Sequence, residues 1–246
     1  MRIPTWGGNK DPDPLADWRA YGTKDYQHQL SSFGPIFLKS EGIKEVPLAS
    51  ESKVFLENVA LTIIQTNELF FREVTRPQFH LVESAVPYHF SLPGRSIYLS
   101  TALVERFLKH EALLASVICY ELVRSEKSLY TRSVIVPVGY MPLDRMLGLN
   151  RIPVADKIEI HKWAYHSLRR AGFDGEYYLS WLQLMNRNTA DFLPLLGDAS
   201  AISREEAMFK GFMISRANSE DARTFARKES SKEFYRFIFF VKDRHT

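Results

Sequence analysis

Apolar and polar residues follow two different periods along this chain, and the change of period separates helices from strands. Between 51 and 74 apolar residues recur at helical spacing, which predicts an amphipathic helix that ends before Pro77. Three short segments rich in β-branched and aromatic residues follow, at 79–84, 88–92 and 96–100. Proline and glycine separate them, so the pattern predicts a small antiparallel meander.

The helical period returns after these strands and continues to the end of the chain. A long apolar helix is predicted over 101–129, and from about 153 the pattern is helical, with breaks near Gly172, Gly197 and Asn218. Ser203 and Glu206 have the spacing of a capping box that opens a helix. Strands followed by helices indicate an α+β fold that is predominantly helical.

The first 45 residues differ in composition from the rest, because they are rich in Gly, Pro, Asp and Ser. We expect an extended N-terminal arm over 1–45, which could lie in a cleft of the domain, and a single domain over 46–246. The C-terminal part of that domain, 188–246, is helical. Its aromatic segment "SSKEFYRFIFFVKDR" is interpreted either as core or as a docking surface for a partner or a membrane interface.

Composition narrows the class of protein. A formal net charge of +3 over 246 residues does not indicate a nucleic-acid-binding protein, which usually has a concentrated basic stripe. The longest apolar runs are about nine residues, too short for a transmembrane helix. Cys119 is the one cysteine, so neither an intramolecular disulfide nor a paired-cysteine metal site can form. No secretory signal is visible, although the chain could be an exported one whose signal has been removed.

One charged residue interrupts the most apolar helix. In "LLASVICYELVRSEK" (113–127), Glu121 lies in an otherwise apolar run and is followed three residues later by Arg124. Residues at this spacing are neighbours on a helix. We therefore expect Glu121 to be a buried counter-ion of Arg124; the alternative is that both are ordinary solvated residues of the helix surface.

Two blocks of sequence carry a resemblance to a known family. "YHFSLPGRSIYLSTAL" (88–103) followed by "ALLASVICYELVR" (112–124), and later "KIEIHKWAYHSLRRAGFDGEYYLSWLQLM" (157–185), have the order and spacing seen in the M forty-eight zinc metallopeptidases, the family of HtpX, BepA and the CAAX prenyl proteases. The chain resembles this family over roughly 50–187. The resemblance implies a zincin-like α+β domain.

The family's catalytic residues are largely replaced in this chain. Its helix carries H-E-x-x-H, in which two histidines hold zinc and the glutamate carries a proton. By resemblance Glu121 matches that glutamate, whereas Tyr120 and Arg124 replace the histidines. The third zinc ligand falls on Lys157 and the supporting aspartate on His161. The resemblance therefore implies that Lys157 joins Arg124 as a second cation near Glu121. A shift of two residues would make Glu159 the third ligand instead.

Zinc binding by this set is not expected. An arginine stays protonated and offers no lone pair, and a tyrosine would have to lose a proton from a pKa near 10. A fixed positive charge about 4 Å from zinc opposes binding by roughly 8 kcal/mol at an effective dielectric of about 20. Structural zinc sites bind with about 10–16 kcal/mol, and here two or three ligands are missing. We expect no metal, no cofactor and no catalysis by the family mechanism.

The sequence then predicts a pseudopeptidase that binds a protein or peptide as a scaffold or regulator. By family resemblance an extended peptide would pair with a strand edge, which makes the following residues the candidates: Tyr88, His89, Phe90, Ser91, Leu92, Ser96 and Tyr98. The alternative is an atypical zinc metalloendopeptidase, with a relocated site made from His89, His161 and Glu159 or Glu121. A periplasmic or envelope location follows from the family resemblance alone.

Overall fold

The computed structural model describes residues 23–71, 76–130, 140–217 and 229–243. The helices are α1 (Thr23–Leu38), α2 (Ser50–Gln65), α3 (Thr101–Arg106), α4 (Glu111–Lys127), α5 (Leu143–Gly148), α6 (Val154–Arg170), α7 (Glu176–Arg187), α8 (Thr189–Leu196), α9 (Ala199–Ala217) and α10 (Lys232–Lys242). The strands are β1 (Lys44–Val46), β2 (Gln78–Glu83), β3 (His89–Leu92) and β4 (Ser96–Ser100). The predicted α+β class with mostly helical content is confirmed.

The four strands form one mixed sheet with the order β1-β2-β4-β3. β1 pairs with β2 and β3 with β4 in antiparallel fashion, whereas β2 and β4 are parallel. The prediction of a purely antiparallel meander was therefore wrong at this central pair. A tight turn through Gly94 (φ 82°) and Arg95 (φ 62°) folds β4 back on β3, which places β4 between β3 and β2.

Both faces of the sheet are covered. Ile97 and Leu99 of β4 pack into a core shared with α2, α3 and α4, whereas Tyr98 between them packs into a second core with α1 and α5. Successive side chains of a strand point to opposite faces, so burial of both faces requires apolar residues at every position. The short strands consequently lack the alternation that identifies a half-buried sheet.

Helix α1 corrects the expectation of an extended N-terminal arm. Residues 23–38 are helical, and the buried Leu30, Phe33 and Phe37 hold the helix against the sheet. The Phe37 ring lies 5.5 Å from the Phe90 ring, and the Ser31 hydroxyl donates a 3.0 Å hydrogen bond to the Pro93 carbonyl. Apolar residues at helical spacing outweigh the turn-forming composition here. Residues 1–22 of the predicted arm lie outside the described residues.

The predicted helix over 101–129 is divided into α3 and α4. His110 is the N-cap of α4, and its Nδ1 accepts a 3.2 Å hydrogen bond from the Ala112 amide, so a new helix begins there. Every residue of α4 over 112–125 is buried, which makes it the central helix of the domain.

The predicted breaks at Gly172 and Gly197 are confirmed, while Asn218 lies outside the described residues. Within the described ranges, none of the helices combines the length and apolarity that a membrane crossing needs.

Candidate functional site

Glu121 lies in the centre of the domain with no solvent exposure and with both carboxylate oxygens occupied. Arg124 Nη2 donates to Glu121 Oε2, and His89 Nδ1 of β3 donates to Glu121 Oε1. The arginine is 1% and the histidine 3% exposed. The predicted buried pair of Glu121 and Arg124 is therefore confirmed, and His89 is an additional partner.

The electrostatic balance keeps Glu121 ionised. Burial by itself would raise the pKa of this carboxyl, but the Arg124 guanidinium and the hydrogen bond from His89 outweigh it and lower the pKa below its ordinary value. Because an ionised carboxylate only accepts hydrogen bonds, His89 Nδ1 must carry the proton.

A second buried ion pair lies beside the first. Lys157 and His161 are one turn apart on α6, and both contact Glu205 of α9, with Lys157 Nζ to Glu205 Oε1 at 2.7 Å and His161 Nε2 to Glu205 Oε2 at 3.4 Å. His161 Nδ1 lies 2.9 Å from the Tyr178 hydroxyl. The expectation that Lys157 joins Glu121 is wrong, because Lys157 has a carboxylate partner of its own on α9.

Desolvation shifts the titration of the second cluster. Burial lowers the pKa of His161 more than its contact with Glu205 raises it, so the ring is neutral near pH 7. Burial would raise the pKa of Glu205, but His161 and Lys157 outweigh it and lower the pKa. Burial also raises the pKa of Tyr120 above its ordinary value, which opposes tyrosinate formation.

The two ion pairs border one small cavity of about 30 Å³. Tyr120, Arg124, Lys157 and His161, four of the five positions predicted for the degenerate site, line it. The fifth, Glu121, contacts the cavity-lining residue Arg124. The lining residues are His89, Tyr120, Arg124, Asn150, Lys157, His161, Trp181, Met185, Leu195, Leu196 and Glu205. The two buried sequence blocks of the resemblance therefore do meet in space.

The alternative register and the relocated metal site are not assembled. Glu159 is exposed on the other side of α6 and pairs with Lys162 at 2.7 Å. His89 contacts Glu121, whereas His161 contacts Glu205. Across the ranges that the structure describes, no three His, Cys, Asp or Glu side chains are grouped so that they could hold a metal ion.

The candidate peptide-binding strands are less accessible than expected. Ser96 is partly exposed, but the other candidates are buried, namely Tyr88, His89, Phe90, Ser91, Leu92 and Tyr98. On one face of β3, His89 and Ser91 contact Glu121, the Ser91 hydroxyl donating 3.0 Å to its carbonyl. On the other face Phe90 packs against Phe37 of α1. These six side chains are therefore not open to a ligand, but β3 is the last strand of the sheet, so the pairing of its backbone with an extended peptide stays a prediction.

Sequence reasoning missed Glu205, Tyr178 and Asn150. A signal for Glu205 exists, because Ile202, Glu205 and Phe209 follow helical spacing and all three are buried on α9. The prediction that Ser203 and Glu206 form a capping box was wrong. Helix α9 begins at Ala199, four residues before Ser203, whose hydroxyl instead donates 2.9 Å to the side chain of Asn186.

The aromatic C-terminal segment forms α10, whose aromatic residues are divided between the core and the surface. Phe234 and Phe237 of α10 are buried and pack against Phe55 of α2, which is core packing. Tyr235 and Phe239 are 57% and 67% exposed. The helix therefore has one face in the core, and its exposed face carries these two aromatic residues together with charged residues such as Arg236 and Lys242.

The residues that meet here do not fit a zinc ion. Arg124 is a permanent cation, and Lys157 is engaged by Glu205. Tyr120 would need to ionise against a raised pKa. Both oxygens of Glu121 accept hydrogen bonds from side chains rather than facing an open coordination position.

No family model matches this chain, and no curated protein matches it.

Proposed function

We propose that this chain is a metallopeptidase-like domain of zincin type whose catalytic centre has been replaced by buried ion pairs, and that it acts by binding a protein or peptide. The contact of Arg124 with Glu121 is the single observation that carries the proposal. It puts a guanidinium beside the one catalytic residue that the resemblance retains, at a helix position where the family has a histidine.

Energetic considerations support an inactive centre. Removing one member of a fully buried ion pair costs about 3–5 kcal/mol. Zinc binding would require Glu121 to exchange Arg124 and His89 for a metal-bound water while a guanidinium stays nearby. Repulsion between the dication and Arg124 adds to that cost. The electrostatics of this cluster therefore favour the folded, metal-free state.

Support for a binding role comes from the resemblance and from the cavity. Families of this type hold an extended substrate near the glutamate helix, and the chain keeps a cavity at the corresponding place, between α4, α6, α7 and α9. The buried β3 side chains are not available, so we place the binding position at the cavity rather than along β3.

A restoration experiment tests this proposal. Zinc affinity and cleavage of an unfolded protein are measured for the natural chain and for Tyr120→His/Arg124→His/Lys157→Glu. The natural chain should bind no zinc stoichiometrically and should cleave nothing, while the triple variant should gain zinc affinity. Glu159→His is the matched control, since its side chain is on the exposed face of α6. Chelator-sensitive cleavage by the natural chain would favour the zinc metalloendopeptidase instead.

A further inference from the structure

Three buried polar atoms around the cavity lack a partner. His89 Nε2, Arg124 Nε and Asn150 Oδ1 have no hydrogen bond among the described residues, although their side chains are 3%, 1% and 4% exposed. All three residues line the cavity. Buried polar groups are usually paired, and an unpaired one costs about 1–3 kcal/mol. Three at one cavity indicate a ligand.

The basic side chains around the cavity keep hydrogen-bond donors that no described residue uses. Each oxygen of the two carboxylates already has a partner, Glu121 with Arg124 and His89, and Glu205 with Lys157 and His161. Arg124 Nε–H remains as a donor. Lys157 uses one of its three N–H groups on Glu205 and keeps two. A guanidinium and a lysine amino group, each with N–H groups that no described residue uses, therefore border the same small space.

Donors from a guanidinium and an ammonium are the usual partners of a carboxylate. The free acceptor, Asn150 Oδ1, calls for a donor on the same ligand. We propose that this cavity binds a carboxylate that carries a hydrogen-bond donor on or next to its α-carbon. The C-terminal residue of a peptide has this chemistry through its backbone N–H, and a small α-hydroxy acid has it through its hydroxyl.

The cavity has the size for such a head group. Roughly 10–15 Å³ of such space holds one water molecule, so about 30 Å³ holds two or three heavy atoms, which corresponds to the carboxylate group itself. Trp181, Met185 and Leu196 form an apolar wall that suits the carbon atoms. The peptide source of the carboxylate rests on the proposed function, whereas the α-hydroxy acid source is independent of it.

Calorimetric titration of the full chain tests the site with four solutes at matched ionic strength. These are N-acetylglycine, its amide N-acetylglycinamide, glycolate and sodium chloride. Saturable one-to-one binding of N-acetylglycine, with the amide bound at least about tenfold more weakly, is expected because hydrogen bonds to charged groups are worth about 1.5–3 kcal/mol. Glycolate binding with no response to N-acetylglycine would assign the site to a free acid. Equal binding of acid and amide, or no saturable binding of either acid, would overturn the assignment and leave a site for water.

Variants locate the binding. Lys157→Gln/Glu205→Gln removes both charges of one pair together, so no buried charge is left alone, and it should weaken N-acetylglycine binding at least about tenfold. Lys162→Gln/Glu159→Gln removes a surface pair from the same helix and should leave binding unchanged. Leu196→Phe narrows the cavity from its apolar wall and should also abolish binding, which keeps the site testable if the charge variant does not fold. Unchanged affinity in Leu196→Phe and the charge variant would refute the location. Zinc content is measured separately, so a failure of the proposed function can be told apart from a failure of carboxylate binding.

Discussion

Replacing Glu121 by Gln is the sharpest perturbation of the buried cluster. The variant keeps the shape of the side chain but leaves Arg124, which is 1% exposed, without its counter-ion, and it gives His89 Nδ1 a weaker acceptor. Removing one partner of a buried pair costs roughly 3–5 kcal/mol. At about 2–4 °C per kcal/mol for a protein of this size, the melting temperature should fall by roughly 6–20 °C.

Urea unfolding at pH 7, with and without the substitution, measures this difference. Glu159→Gln is a matched control, because Glu159 also pairs with a basic residue three positions later, Lys162, but at the surface. Exposed helix pairs contribute about 0.3–0.5 kcal/mol, so the control should change the free energy of unfolding by no more than that. A loss below about 0.5 kcal/mol in Glu121→Gln would refute a buried pair.

The pH dependence of the same difference gives a second check. Arg124 and His89 hold the folded-state pKa of Glu121 below its ordinary value, so the unfolded chain binds the proton more readily. The stabilisation by Glu121 is therefore fully present above the ordinary glutamate pKa of about 4.3 and is lost as the pH falls through the folded value. The difference in the free energy of unfolding between the natural chain and Glu121→Gln should become smaller over that range. A difference that stays constant would contradict the ionised state of Glu121.

Three further predictions concern the surrounding structure. Lys157→Met should destabilise by roughly 3–5 kcal/mol, and adding Glu205→Gln should recover part of that loss in a double-mutant cycle; additive losses would show that the two side chains do not interact. Because burial lowers the pKa of His161, the natural chain should lose stability as the pH falls below about 6.5, and His161→Asn should lose less of it, as urea unfolding at pH 7.5 and 5.5 would show; parallel losses would contradict this. Gly34→Ala should destabilise by about 1–3 kcal/mol because its Cβ would overlap the Tyr98 hydroxyl, whereas Gly211→Ala, where nothing lies within 4 Å, should stabilise by up to about 1 kcal/mol; equal melting temperatures would argue against docking of α1 on the sheet.

The sequence predicts the elements of this fold better than their pairing. Helical spacing identifies α2 and the central α4, although α2 ends at Gln65 and not near the predicted residue 74. The three β-rich segments match β2, β3 and β4 within one or two residues. The parallel pairing of β2 with β4 depends on contacts between distant segments, which local periodicity does not report. Helix α1 was missed because Gly34 and Pro35 are turn-forming residues, although the buried Phe33 and Phe37 flank them.

The candidate site was predicted in part for a related reason. The pairing of Glu121 with Arg124 follows from positions on one helix, so the sequence contains it. Glu205 and Asn150 come from α9 and from the end of α5, and their arrival at the cavity depends on how helices pack. A charged residue on the apolar side of a predicted helix indicates that a polar partner lies on a neighbouring element. Glu205 on α9 is such a residue.

We propose that buried cations occupy the place that zinc has in a metallopeptidase centre. Elemental analysis of the natural chain, incubated with equimolar Zn²⁺ and then freed of unbound metal by gel filtration, tests this claim most directly. We predict far less than one zinc per chain, with the cluster of Glu121, Arg124 and His89 intact. One zinc per chain, located at this cavity by anomalous diffraction, would contradict the claim.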